Sequence, residues 1–107
     1  MRIEELDTPV AIVDLDRMEA NIARTHHYLA QHGIAKRPNI NTHKSPAIAQ
    51  IQVDAGAFGI TCQKLGVAEI MIDACIQDVF IPYNLVGEKK LARLARLMLR
   101  ANVSVTA

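Results

Sequence analysis

The sequence predicts an α/β fold built on a parallel sheet. Short β-branched runs alternate with helical stretches at intervals of about 20 to 25 residues, and glycines stand where helices should end. No linker, low-complexity segment or second domain interrupts the alternation. Consecutive βαβ units have right-handed crossovers, which put the helices on one side if the sheet curls into a barrel. A complete (β/α)8, TIM-like barrel takes roughly 250 residues, whereas these 107 residues stop within an apolar run. The expectation is the N-terminal portion of such a barrel, truncated, with residues 1–107 as one partial domain. A complete open sheet of four or five strands, of flavodoxin-like kind, is the rival.

Each element has a local reason. Pro9 to Asp14 is a β-branched run that reads as a strand. A helix of about 17 residues follows, capped by Asp14 or Asp16, with Leu15, Met18, Ile22 and Leu29 on one face and Gly33 to end it. Lys36 to Thr42 reads as the next strand. Ser45-Pro46 then pairs an N-cap with a proline in the first turn, where a missing N–H costs nothing. Ile48, Ile51 and Ala55 line that helix, and Gly56 ends it. Ala57 to Cys62 is a strand, Leu65 to Ala74 a helix and Asp78 to Tyr83 a strand. Glu88 to Arg100 is a helix with Leu91, Leu94, Ala95 and Met98 on its apolar face. Val103 to Ala107 closes the series as a strand.

Composition excludes several classes of function. Half of the residues are hydrophobic, enough for one modest core. Twelve basic against eleven acidic side chains leave a net charge of +1, which gives no electrostatic case for nucleic acid or an anionic membrane. Aromatic residues are too scarce for base-stacking platforms. The charged start, Met1 to Glu5, has no apolar leader core, and no stretch reaches the roughly 18 to 20 apolar residues of a span. The expected compartment is the cytoplasm. Cys62 and Cys75 form no CxxC and read as reduced core thiols. His26 and His27 are adjacent, hence roughly 100° apart around a helix, which argues against a metal site with His32.

The chemistry concentrates between Lys36 and Pro46. With a strand period of two, Asn39 and Asn41 share one face, while Pro38 and Ile40 share the other. In an α/β barrel the apolar set packs on the helices. The polar set then points inward at the C-terminal strand end, where active sites form. The short turn and helix start that follow also suit an anion.

The string Arg37-Pro38-Asn39-Ile40-Asn41-Thr42-His43-Lys44-Ser45-Pro46 resembles the Arg-Pro-His-x-Lys-Thr-His-Lys-x-Pro signature of the D-threonine aldolase/D-serine dehydratase family. The flanks are similar too: Leu6-Asp7-Thr8-Pro9, Val13 to Asp16, Ala55 to Cys62, Leu65 to Glu69 and Asp78 to Tyr83 match at consistent spacing. More distantly the chain is similar to the alanine racemase N-terminal barrel, which implies fold-type III pyridoxal-phosphate binding. The resemblance implies a lyase acting on a small D-amino acid, with pyridoxal phosphate as electron sink. It also implies a divalent metal held far along the whole protein, and a homodimer in full-length form. In the family, the first lysine of the signature binds the cofactor as a Schiff base. Here Asn41 stands at that lysine and Asn39 at the neighbouring histidine. An amide is not a nucleophilic amine, so covalent attachment at position 41 is not expected. Lys44 lies three positions on, past the strand end, and does not replace it.

The candidate site is therefore Asn41 at the catalytic position, with Asn39, His43 and Gln63 as cofactor-binding residues. Read from the residues alone, Asn41 is a polar side chain of the barrel interior, and the resemblance makes it a vacated catalytic position. For His43, cofactor contact and capping stay equally open. Gln63 reads by default as a solvated loop residue, Tyr83 as packing and Glu69 as helix surface. Two functions compete: a D-amino-acid lyase fragment inactive as it stands, and a non-catalytic pseudoenzyme or noncovalent cofactor-binding remnant.

Overall fold

Residues 2–106 are described by a computed structural model. Helix α1 runs over Leu15–Gln31, α2 over Pro46–Asp54, α3 over Leu65–Asp73 and α4 over Glu88–Met98, with strands β1 at Ile60–Thr61, β2 at Asp78–Ile81 and β3 at Asn102–Val105. The strands form one parallel sheet in the order β1-β2-β3. The segment before β1 extends this ladder. Thr61 N–H donates to Pro38 O at 2.8 Å and Ile40 N–H donates to Thr61 O at 3.1 Å, with Asn39 bridged in parallel to Thr61. Four chain segments thus lie side by side in sequence order, as βαβ units require.

Caps fix the helix ends. Asp14, not Asp16, caps α1, its carboxylate accepting the Arg17 N–H at 3.0 Å. At the other end Gly33 takes φ +65°, and Ile34 N–H reaches back to Leu29 O at 2.9 Å, a Schellman closure. Ser45 caps α2 through the Ile48 N–H, and Pro46 occupies the first turn. Gly56 turns the chain at φ +104°, where an added Cβ would meet the His26 ring at 2.2 Å.

The core lies between the sheet and α2, α3 and α4. Ile40, Ile60, Cys62, Val79, Ile81 and Val103 come down from the strands, and Ala49, Leu65, Ala68, Met71, Leu94 and Leu97 come up from the helices. Burying each large aliphatic side chain contributes roughly 1.5–3 kcal/mol. At the N-terminal rim, Asp78 at the start of β2 pairs with Arg37, and its other oxygen accepts from the Asn102 amide at 2.5 Å. Arg37 in turn covers the Phe58 ring, 4.3 Å from its centroid. One carboxylate therefore ties the outer segments to the middle strand.

Several expectations are corrected. Residues 9–14 form no strand: the run pairs with nothing among the described residues, and Val10, Ile12 and Val13 are exposed. A β-branched composition does not make a strand without a neighbour to take its hydrogen bonds. The strand expected over 36–42 is reduced to the bridge at Asn39, and that over 57–62 to two residues. The last strand occupies Asn102–Val105, and Ala107 lies outside the described residues. On α4 the buried stripe is Leu94 and Leu97, while Leu91, Ala95 and Met98 are exposed. The helix sits rotated toward the sheet by about one position. Cys62 is buried in the core as expected. Cys75 is exposed, because it occupies a left-handed turn position (φ +70°) between α3 and β2.

Candidate functional site

The ladder register sorts side chains onto two faces. Asn39 pairs with Thr61, Thr61 with Phe80, and Phe80 with Ser104, so these four share the face opposite the helices. Ile40, one residue on, is fully buried against the helices. Asn41 opens the turn that follows and is exposed. Period two thus accounts for Asn39 and Ile40, while Asn41 already belongs to the turn. Asn39 and Asn41 are bonded, Asn39 Oδ1 accepting the Asn41 backbone N–H at 3.0 Å. Gln63 follows Thr61 by two residues and reaches the same C-terminal rim, half-buried. It lines a cleft of about 320 Å³ with Lys64, Tyr83, Asn84, Lys90 and Arg93.

His43 does not join this group. A turn over residues 41–43 ends the alternation and carries its imidazole toward the helices. There Nδ1 accepts the Ser45 N–H at 3.0 Å, which leaves the proton of the neutral ring on Nε2. The ring lines a second cleft, of about 460 Å³, between α1 and α2 with Ile12, Met18, Ile22, Ile48 and Gln52. Lys44 takes a left-handed conformation (φ +48°), is exposed, and its N–H donates to Ile40 O at 2.8 Å. It stands beyond the strand end.

Thr61, Phe80 and Ser104 belong to the open face and were not singled out from the sequence, although counting back by two from Gln63 finds Thr61. Glu69 is a half-buried partner of Arg93, whose guanidinium meets both of its carboxylate oxygens and joins α3 to α4. That hydrogen bonding holds the Glu69 carboxyl below its ordinary range. No group of three or more His, Cys, Asp or Glu suited to a metal exists among the described residues. Among the described residues no helix is long and apolar enough to cross a membrane.

Beside the Phe80 ring, this face offers the Asn39 amide and the Thr61 and Ser104 hydroxyls, groups that donate and accept hydrogen bonds but form no imine. Position 41 carries an exposed carboxamide, and the nearest amine in sequence, Lys44, lies past the end of the bridged segment.

A parallel sheet with helices on one face and a polar rim at its strand ends defines an α/β protein of the kind that meets ligands at the carboxyl ends of its strands. No protein-family model matches the chain. Individual relatives do. D-threonine aldolase of Arthrobacter sp. is 40% identical over 103 residues, 96% of this chain and 27% of that protein. D-threo-3-hydroxyaspartate dehydratase of Delftia sp. (strain HT23) is 45% identical over 74 residues, 69% of this chain and 20% of that one. The crystal structure of D-threonine aldolase from Filomicrobium marinum superposes with a TM-score of 0.94 at 42% identity, covering 96% of this chain and 28% of the other. The chain belongs to the D-threonine aldolase/D-serine dehydratase family, and it spans about a quarter of the length of these relatives.

Proposed function

We propose that these residues are the N-terminal barrel portion of a pyridoxal-phosphate-type D-amino-acid lyase whose covalent hold on the cofactor has been lost. Asn41 is the observation that carries this reading. In this reading the exposed carboxamide of Asn41, directly after buried Ile40, takes the place of the signature lysine and has no amine to offer. The names of the relatives, aldolases and a dehydratase acting on D-threonine or hydroxy-D-aspartates, support a D-β-hydroxy-α-amino acid as the ancestral substrate class. Asn39, Asn41 and Gln63 line the cofactor side of the sheet in this reading, while His43 holds the turn and the start of α2. A divalent metal at the substrate hydroxyl draws its ligands from other parts of such a lyase. The two free thiols suit a reducing compartment such as the cytoplasm.

The second reading, a non-catalytic protein that still binds the cofactor without a bond, is favoured by the same amides, which pair with ring and phosphate oxygens. Borohydride reduction after incubation with pyridoxal phosphate tests the first reading. Mass spectrometry is expected to find no stoichiometric pyridoxyl adduct on any lysine, and a Lys44 adduct overturns the proposal. Asn41→Lys in a full-length family context is expected to restore the absorbance band of the bound cofactor. Failure to do so removes position 41 from the site.

A further inference from the structure

Two consecutive βα units meet at the carboxyl ends of β1 and β2. Gln63 and Lys64 follow β1 and lead into α3, while Tyr83, Asn84 and Leu85 follow β2 and lead toward α4. Between them lies the cleft of about 320 Å³, which α4 completes with Lys90 and Arg93. Every wall comes from residues 63–93. Small-molecule sites begin at roughly 300 Å³, and strand carboxyl ends are where α/β proteins place them.

The charge of this cleft is one-sided. Lys64, Lys90 and Arg93 line it, and no carboxylate does. Arg93 is already engaged, its Nε and Nη2 donating to the two oxygens of Glu69. That pair fixes the guanidinium and leaves Nη1 without a protein partner among the described residues. Lys64 and Lys90 have no ion-pair partner among the described residues. The other acids of the stretch are matched elsewhere: Asp73 pairs with Arg100 and Asp78 with Arg37. Glu88 stands next to Lys89, and both are outside the lining. Two unmatched ammonium groups in one cleft repel each other and focus positive potential there. The neutral polar lining can donate as well, through the Gln63 and Asn84 amides and the Tyr83 hydroxyl.

We infer that this cleft binds the phosphate group of a small phosphorylated metabolite, Lys64 and Lys90 supplying the charge and Arg93, Gln63, Asn84 and Tyr83 further donors. A phosphate monoester matches the lining better than a single carboxylate does. Its charge approaches that of the two unmatched lysines, and its three terminal oxygens take more donors than a carboxylate's pair. Lysine acts there as a point charge, while the guanidinium held by Glu69 gives direction. At roughly 30 Å³ for a water-sized group, the volume exceeds that of a bare oxyanion and leaves room for a short carbon body. This site shares only Gln63 with the proposed cofactor side, and its test involves no adduct, so either can fail without the other.

Titration of the full chain with glycerol phosphate, followed by amide NMR at an ionic strength held constant with potassium chloride, tests the assignment. The expected result is saturable one-to-one binding with a dissociation constant of about 1 mM or tighter. The shifts are expected to concentrate at residues 63–66, 83–85, 90 and 93. Inorganic phosphate is expected to bind at the same residues more weakly, and neither glycerol nor acetate to saturate. Lys64→Gln with Lys90→Gln is expected to weaken binding at least about ten-fold. Lys89→Gln, next in sequence but outside the cleft, is expected to leave it unchanged. All three lysines are exposed, so the fold should survive each change, as the amide spectrum of each variant checks. The proposal is overturned if glycerol phosphate does not saturate, if acetate binds as tightly, or if the double variant binds as the unmodified chain does. An equal loss in Lys89→Gln overturns it too. The titration of the unmodified chain decides even if a variant fails to fold.

Discussion

The carboxylate of Asp78 is paired with the guanidinium of Arg37 although the two residues belong to segments separated by β1. Both side chains are mostly withdrawn from water (18% exposed for Arg37 and 24% for Asp78), so neither is free to hydrate if its partner is lost. Asp78→Ala also orphans the Asn102 amide. The expected cost is about 1–3 kcal/mol, read as a lower urea midpoint at unchanged slope. An unchanged midpoint would show that the pair is a surface contact only.

Ile40 and Asn41 are neighbours with opposite fates, one fully buried and the other exposed. Ile40→Ala is expected to cost roughly 2–5 kcal/mol, enough to threaten a core of this size. Asn41→Ala is expected to fall within about 0.5 kcal/mol. Chemical denaturation of the two variants side by side checks the strand register, and equal losses would contradict it.

Acid should act through Glu69. Arg93 hydrogen-bonds its carboxylate and so lowers the folded-state pKa below the ordinary 4.5. A depressed carboxylate pKa stabilises the fold above the unfolded value and ceases to do so as pH falls through the folded one. Glu69→Gln is therefore expected to lower the unfolding midpoint at pH 7, with the difference from the unmodified chain shrinking as the pH falls below the ordinary carboxylate value and through the lowered one. A difference that persists in strong acid would point to lost packing instead of lost charge.

The two thiols should be distinguishable by chemistry. Burial pushes the Cys62 thiol up to about 11, while Cys75 is exposed. Since the thiolate is the reactive form, a thiol reagent at mild alkaline pH is expected to titrate one cysteine in the native chain and both in urea. Two native equivalents would mean that the core around Cys62 opens readily.

The helices were legible because their signals are local. Asp14, Gly33 and the Ser45-Pro46 pair each act within one turn of their own position, and α1 has the length that the spacing indicates. The strands were less so, because a strand exists only through a partner. Pro9 to Asp14 has the composition but no partner, whereas Asn39 has a partner without the composition. The site was half legible for a related reason. Period two holds through Ile40 and accounts for Asn39, but the turn at 41–43 takes Asn41 and His43 out of it, and no periodicity announces where a period stops. The Arg37–Asp78 pair joins residues 41 positions apart, and nothing in either neighbourhood marks it.

Helix α1, 17 residues long, has no fully buried side chain and meets the rest of the molecule through the half-buried Met18, Ile22, His26 and Leu29. Isolated helices of that length are marginal in water, so α1 and the sheet stand on different tiers of stability. Brief melting of α1 leaves the strands intact, whereas exposing Val79 or Ile81 requires the whole core to come apart. Local opening is therefore expected to begin at α1, the segment that leads toward residues 36–46.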